Sequence, residues 1–426
     1  MSGALQVVFM NQRSFIPNPY YLGVLVPSSG DYYLQGGAYT VANSDGMFIC
    51  GGDTSGGRIQ KLKYDGTIGF QNFVTVSASS TYLQAITIPS SGNIYTAGYK
   101  DGSAGGAWVT KFNSSGSVTW SKGTPNLSYY VFSITTDSSE NIYYAGDRST
   151  GDYDTTNRIV VASLNSSGTD RWQTWYGSSQ GFQSAGVSAY STSVFVVGRV
   201  YQTGIYQTAG VLFKLAQSDG TLQSEKKYSD DTQFFSLAQS SSTGNCYIGA
   251  GGITGKSMVL KTDSSLAKQW GANVATTSTQ TAVAIDSSEN VYSLRTNSTN
   301  VLVICKHDSS GTIQWQRNLT LPYNFSGRNN IAVTTDGKIF VSTQMTQTSP
   351  SQYYPFVAML NSDGSGAGTY TVNGQTYTYA ASSYTTSTDS GSFSTSTYGV
   401  TAQSRTVNDV TTSSATDNLT FTRASL

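Results

Sequence analysis

The 426-residue chain is long enough for a large core or two domains. Only 11% of it is Asp, Glu, Lys or Arg, against about a quarter in ordinary soluble proteins, and 24 basic residues balance 24 acidic ones. Without grouped Lys and Arg there is no surface to track phosphates, so nucleic acid is not an expected partner. No apolar run of about 18 residues marks a spanning helix, so membrane insertion is not expected either.

Ser, Thr, Asn, Gln, Gly and Tyr supply the character of this chain, which suits short strands and tight turns. No long segment shows the i, i+3, i+4, i+7 apolar stripe of a helix. The start, Met1 to Met10, has neither a basic n-region nor a long apolar h-region, so no secretory signal is read there. Residues 1–36 precede any repeat and form an arm, broken by Pro17, Pro19 and Pro27 into extended pieces.

The repeats follow. Asp137-Ser138-Ser139-Glu140-Asn141-Ile142-Tyr143-Tyr144-Ala145-Gly146 is a polar turn feeding a short apolar strand that stops at glycine. Relatives of it place aromatic anchors at Phe48, Tyr95, Tyr143, Phe195, Tyr247, Tyr292 and Phe340, in steps of 45 to 52 residues. Such a period marks a solenoid, propeller or array. Each repeat reads as four strands: an apolar one such as Thr281 to Ile285, the anchor strand, a third such as Trp108 to Phe112, and a fourth that often carries Trp. Four strands per repeat of this length make a propeller blade. We count seven: 37–80, 81–128, 129–180, 181–230, 231–276, 277–326 and 327–383. The expected fold is an all-β, seven-bladed β-propeller over 37–383, with the anchor strand in the middle of each blade.

The loops between second and third strands vary most, at Asp147 to Arg158, Tyr201 to Ala209 and Gln344 to Tyr354. Variable loops on one rim are where a scaffold carries recognition, and Tyr153, Tyr201, Tyr206, Tyr353 and Tyr354 there could contact sugar or protein. The seventh repeat ends in a hairpin around Asn373-Gly374. Residues 384–426 form a Ser/Thr-rich tail with little apolar material. Its Leu419 and Phe421, alternating with Thr, hint at one strand in need of a partner.

The repeats resemble the bacterial seven-bladed β-propeller repeat family, through the runs at 90–98, 137–146 and 111–116. That resemblance implies a fold and leaves function open. The termini are more telling. Met1-Ser2-Gly3-Ala4 with Phe9-Met10-Asn11-Gln12-Arg13-Ser14-Phe15, and Thr376 to Ser383 with the Ser/Thr-rich sequence after it, are similar to the ends of structural proteins of marine cyanobacterial tailed phages. The resemblance implies a virion protein, a tail fibre or surface appendage component, assembled in the host cytoplasm and carried in the particle. The propeller is then a rigid platform or a host-recognition head. At least one terminus, through Phe9, Arg13, Phe15, Leu419 and Phe421, is expected to dock on a neighbouring virion subunit by β-pairing, with oligomers in the particle; the alternative is that one terminal strand closes the ring by joining blade seven. A host-surface glycan or protein is the further partner. The alternative is a bacterial surface or secreted propeller lectin.

Catalytic groups are scarce. His307 is the only histidine, which rules out multi-His arrangements and leaves one candidate for any Ser-His-Asp triad; it reads as a structural residue. The carboxylates Asp137, Glu140, Asp286 and Glu289 sit in matching turns; Ca²⁺ binding or acid/base work competes there with simple turn formation, and turn formation is preferred. Ser310-Gly311-Thr312-Ile313-Gln314-Trp315 resembles the blades of quinone-dependent dehydrogenases, where glycine and tryptophan dock neighbouring blades, and docking suffices as a reading here. Cys50, Cys246 and Cys305 fall in strands of different repeats and read as small buried hydrophobes. No enzyme, cofactor or metal is expected.

Overall fold

Each repeat folds as an antiparallel meander. The computed structural model describes residues 21–26, 39–53, 56–76, 81–100, 106–123, 129–148, 158–177, 181–201, 208–230, 232–252, 257–276, 280–334, 336–348, 351–395, 400–402, 408–409, 412–416 and 420–425. In the third repeat the strands are Tyr129–Thr136, Ile142–Arg148, Arg158–Leu164 and Asp170–Tyr176. The turn between the first two forms as its sequence dictates. Asp137 accepts hydrogen bonds on Oδ1 from the backbone N–H groups of Ser139 and Asn141, both at 2.9 Å, and Glu140 takes φ +57°. Asn165 does the same between the last two strands, where Gly168 takes φ +81°.

Seven such sheets stand in a ring, a β-propeller with no helix among the described residues. The anchor strand lies second, between the first and third strands, and Tyr95, Tyr143, Phe195, Tyr247, Tyr292 and Phe340 are fully buried on it. The core lies between blades: Tyr143, Val161 and Trp172 of the third pack with Phe182 and Phe213 of the fourth in one cluster. The three cysteines are buried and unbridged.

The Trp–Gly docking expected from the fourth strands is present. The ring of Trp270 in blade five lies where a Cβ on Gly311 of blade six would sit, 2.8 Å away, and its indole N–H donates to the Ser309 carbonyl at 3.0 Å. Gly311 also has φ +90°, so two constraints select glycine. Trp120 donates to Ser166, Trp172 to Gln217 and Trp315 to Ser362 in the same manner. Blade five breaks the rule. Its matching turn carries Leu266 at φ +69°, fully buried beside Phe195 and Leu212 of blade four. In blade four the position that holds Trp elsewhere is Ser224. The bulk has moved from one side of the interface to the other.

The ends of the chain do not follow the expected division. The sequence reading let 37–383 fill seven four-stranded blades. In the structure the fourth strand of blade seven is Tyr21–Val26, antiparallel to Ser351–Leu360 with Val24 opposite Phe356. The run Tyr-Leu-Gly-Val-Leu-Val is apolar enough for that place, and it closes the ring. The Asn373-Gly374 hairpin forms as expected, with Val372 opposite Gln375 and φ of +50° and +72° at the turn. It does not belong to blade seven. Its second strand, Gln375–Ala381, pairs with Ile313–Thr320 of blade six, because the edge of blade seven is already occupied.

From there the chain runs backwards round the whole ring. Thr386–Thr388 pairs with the outer edge of blade five, Phe393–Thr395 with blade four, and Val400–Ala402 with blade three. Asn408–Asp409 pairs with blade two and Thr412–Thr416 with blade one. Thr420–Ser425 ends the circuit on Tyr21–Val26, with Phe421 opposite Leu25. The segment read as a tail is a belt that adds an outer strand to six blades, and with Gln375–Ala381 on blade six all seven are covered.

Candidate functional site

The meander divides the ring into two faces. The tight turns lie on one; the longer loops and the links between blades lie on the other. The candidate carboxylates are all on the turn face, where the two glutamates join blades. Glu140 of blade three accepts from Tyr95 Oη at 2.6 Å and Asn93 Nδ2 at 3.0 Å of blade two, with Lys111 Nζ 3.7 Å away. Glu289 of blade six does the same for Tyr247, Asn245 and Lys261 of blade five, the last at 3.2 Å. Burial alone would raise the Glu289 carboxyl. Hydrogen bonds from Thr243 and Tyr247 outweigh it and hold the group far below the usual carboxylate range. Asp137 and Asp286 fold their own turns and accept from Tyr143 and Tyr292 of the same blade. These groups are spent on structure. Burial pushes the Tyr143 hydroxyl up to about 12, so it stays a donor.

His307 is fully buried at the end of the third strand of blade six, its ring near-parallel to Trp270 at 6.4 Å and its Nδ1 3.2 Å from the Gly311 carbonyl. Burial, and secondarily the charge of Arg295, lower it to about 4, so the ring is neutral and Nδ1–H donates. Among the described residues no three His, Cys, Asp or Glu side chains come together as a metal site.

The built cavity lies elsewhere, on the ring axis. The first strands of all seven blades line a central channel with a cavity of about 370 Å³. Four of these strands bulge near their starts, towards the loop face: between Leu83 and Ala85, Val131 and Ser133, Ser184 and Gly186, and Phe234 and Ser236. A bulge adds one residue and re-aims side chains. The added residues are Gln84, Phe132, Ala185 and Phe235, and the last three line the cavity. Phe132 lies parallel to Tyr130 at 6.3 Å; Tyr130 meets Tyr99 edge-on at 4.6 Å, and Tyr99 stacks on Tyr82 at 4.9 Å. Across the ring, the Arg199 guanidinium lies over the Phe235 ring at 5.3 Å and donates to Gln183 and Gln233. The sequence showed the first strands only as apolar and alternating. The repeated bulge, which makes them a lining, left no mark that pattern reasoning could read.

The expected recognition and docking residues scatter. Tyr353 and Tyr354 are half-buried in Ser351–Leu360, and Tyr354 stacks on Tyr323 at 5.8 Å. The stretch Gln344 to Tyr354, read as a loop, is largely the end of two ten-residue strands paired as far as Thr348 and Ser351. Tyr201 ends the strand Ser193–Tyr201. Tyr153, Tyr206, Phe9, Arg13, Phe15 and Leu419 lie outside the described residues. Tyr353 and Tyr354 do not line the channel.

Comparison with solved structures returns propellers of unrelated roles. One resembling chain belongs to a mitotic checkpoint complex (TM-score 0.50, 14% identity, covering 83% of this chain and 98% of that one). Another is a puromycin hydrolase (TM-score 0.50, 9% identity, 76% of this chain and 53% of that one). A third is a protein of unknown function from Bacteroides caccae (TM-score 0.41, 13% identity, 70% and 94%). For the first two, at these identities, the likeness shows the fold alone. No protein-family profile matches the chain, and no curated protein does.

Proposed function

We propose that the protein is a non-enzymatic structural component of an extracellular particle, of the phage-appendage kind that its terminal segments resemble, with the propeller as a rigid head. The belt is the observation that carries this reading. An open blade edge is a template for another chain to pair with. Here the fourth strand of every blade is covered by the same polypeptide and the outermost strands that remain are short, two to six residues each, which suits a head that must stay discrete and intact outside a cell. The engagement of Glu140, Glu289, Asp137 and Asp286 in turns and blade contacts supports the non-enzymatic part.

The terminal docking reading takes a narrower form. The described strands of both termini are paired within the chain, Tyr21–Val26 on both edges. Attachment therefore falls to residues 1–20, which include Phe9, Arg13 and Phe15. Immunogold labelling with an antibody against the propeller tests the assignment. Label on an appendage of particles released by lysis is the expected result; label confined to the soluble fraction would refute it. A photo-crosslinker at Phe9 or Phe15 should capture a second virion protein, and one at Phe421 should capture only this chain.

A further inference from the structure

We infer that the central channel binds a neutral glycan, with Phe132 and Phe235 towards its loop face and Ser188 and Gln239 towards its turn face. The inference rests on the channel and not on the particle assignment, and it stands or falls separately.

The lining sets the ligand class. Among the described residues none that lines the cavity is charged. A carboxylate or phosphate ligand would enter without a counter-charge and lose its hydration, at high cost. A purely apolar ligand is also a poor fit, since Ser, Thr, Asn and Gln side chains alternate with the apolar ones along the wall. A sugar is uncharged, carries a ring of hydroxyls, and has an apolar C–H face. The wall offers both halves of that pattern. Phe132 and Phe235 are half-buried and face the cavity, each held from behind by a second group, Tyr130 and Arg199 respectively. An aromatic face fixed in place gives contact area at low entropic cost.

The wall also holds unspent hydrogen-bonding capacity. Ser188 lines the cavity, is nine-tenths buried, and its Oγ has no partner among the described residues. Gln239 lines it too, and its buried Oε1 is likewise without a partner, while its Nε2 is bound to the Gly244 carbonyl. Buried polar atoms of this kind are satisfied in stable proteins, by water or by a ligand. Hydroxyl groups can serve both, donating to Gln239 Oε1 and exchanging either role with Ser188 Oγ. The volume, about 370 Å³, falls in the range of about 300–1,000 Å³ typical of small-ligand sites.

Saturation-transfer difference NMR on the full chain tests this. The probes are glucose, galactose, N-acetylglucosamine, lactose and cellobiose, with the charged N-acetylneuraminic acid as counter-probe. At least one neutral sugar should receive saturation, and its apparent affinity should fall by about two- to tenfold in Phe132→Ala and in Phe235→Ala. Phe132→Trp keeps an aromatic face and should keep binding. Ser188→Val should weaken it, which covers the case in which an alanine variant does not fold. Tyr353→Ala and Tyr354→Ala should leave it unchanged. Saturation of none of the five sugars, equal signals in wild type and the folded variants, or preference for N-acetylneuraminic acid would each overturn the inference.

Discussion

The ring and the belt are built on opposite terms. Ring strands are held by side chains: Tyr143, Val161, Phe213 and their neighbours are fully buried between blades. Belt strands are held mainly by their backbone. Thr386, Ser387 and Thr388 are all exposed, yet they pair in register with Val274, Asn273 and Ala272. Side-chain anchors occur at intervals. Lys268 Nζ lies 2.7 Å from Asp389 Oδ2, Tyr228 donates to the same carboxylate, and the Phe393 ring meets Tyr228 edge-on at 4.8 Å. A ring of this kind resists change by packing; a belt resists by the number of its hydrogen bonds.

The largest expected effect is therefore in the ring. Tyr143→Ala removes a fully buried ring and the hydroxyl that Arg171 and Asp137 share. It should cost about 3–5 kcal/mol in chemical denaturation. A loss below about 1 kcal/mol would mean that the anchor strand is not the middle of its blade.

Acid should act on the ring next. His307 titrates near 6.5 unfolded and about 4 folded, so the native state holds it neutral. Its contribution is present above pH 6.5 and is lost as pH falls from there to about 4, a change on the order of 3 kcal/mol. Glu289 and Glu140, held below the usual range, act in the same direction at lower pH. His307→Gln should flatten the stability curve between pH 6.5 and 4; an unchanged slope would show that the ring is not where acid acts.

A smaller effect tests the interface where bulk changed sides. Leu266→Gly empties a buried site, and Ser224→Trp overfills it; each should cost about 1–3 kcal/mol. The double variant restores the Trp–Gly arrangement of the other blades. It should recover at least about 1 kcal/mol relative to the sum of the two. Strict additivity would show that the two residues do not share a site.

The smallest effect is expected in the belt. Asp389→Asn weakens one anchor among many backbone bonds and should change global stability by about 1 kcal/mol or less. Local hydrogen exchange over 386–395 should nevertheless quicken several-fold. No local change would mean that the anchor does not hold the belt.

The same contrast explains what could be read from sequence. Buried packing leaves a pattern. The anchors at 48, 95, 143, 195, 247, 292 and 340 gave the blade count, and Asn373-Gly374 gave a hairpin. Backbone pairing leaves little. Between 384 and 426 almost any small β-branched residue serves, so the belt looks like a polar tail. One trace was there: Phe393, Val400 and Val407 recur at seven-residue steps. Seven extended residues reach roughly 23 Å, enough to step from one blade edge to the next. A terminal strand closing the ring on blade seven was one reading of the sequence, but Tyr21–Val26 was not singled out, for another reason. Its partner, Ser351–Leu360, is at the far end of the sequence, and no local pattern reports a pairing over that distance. The channel site lay in bulges, which break the two-residue alternation on which strand reading depends.

Hydrogen–deuterium exchange on the intact protein, resolved to single amides along the fourth strands, tests the belted ring most directly. In an unbelted propeller these are edges, and every second amide there faces water and exchanges fast. Here the outward amides within 272–274 and 317–320 face belt strands, and the Ala275 N–H donates to the Thr385 carbonyl at 2.9 Å. The account predicts protection of both sets of amides, inward and outward, over 272–274 and 317–320 and at Ala275. Slow exchange of the inward set with free exchange of the outward set would contradict it.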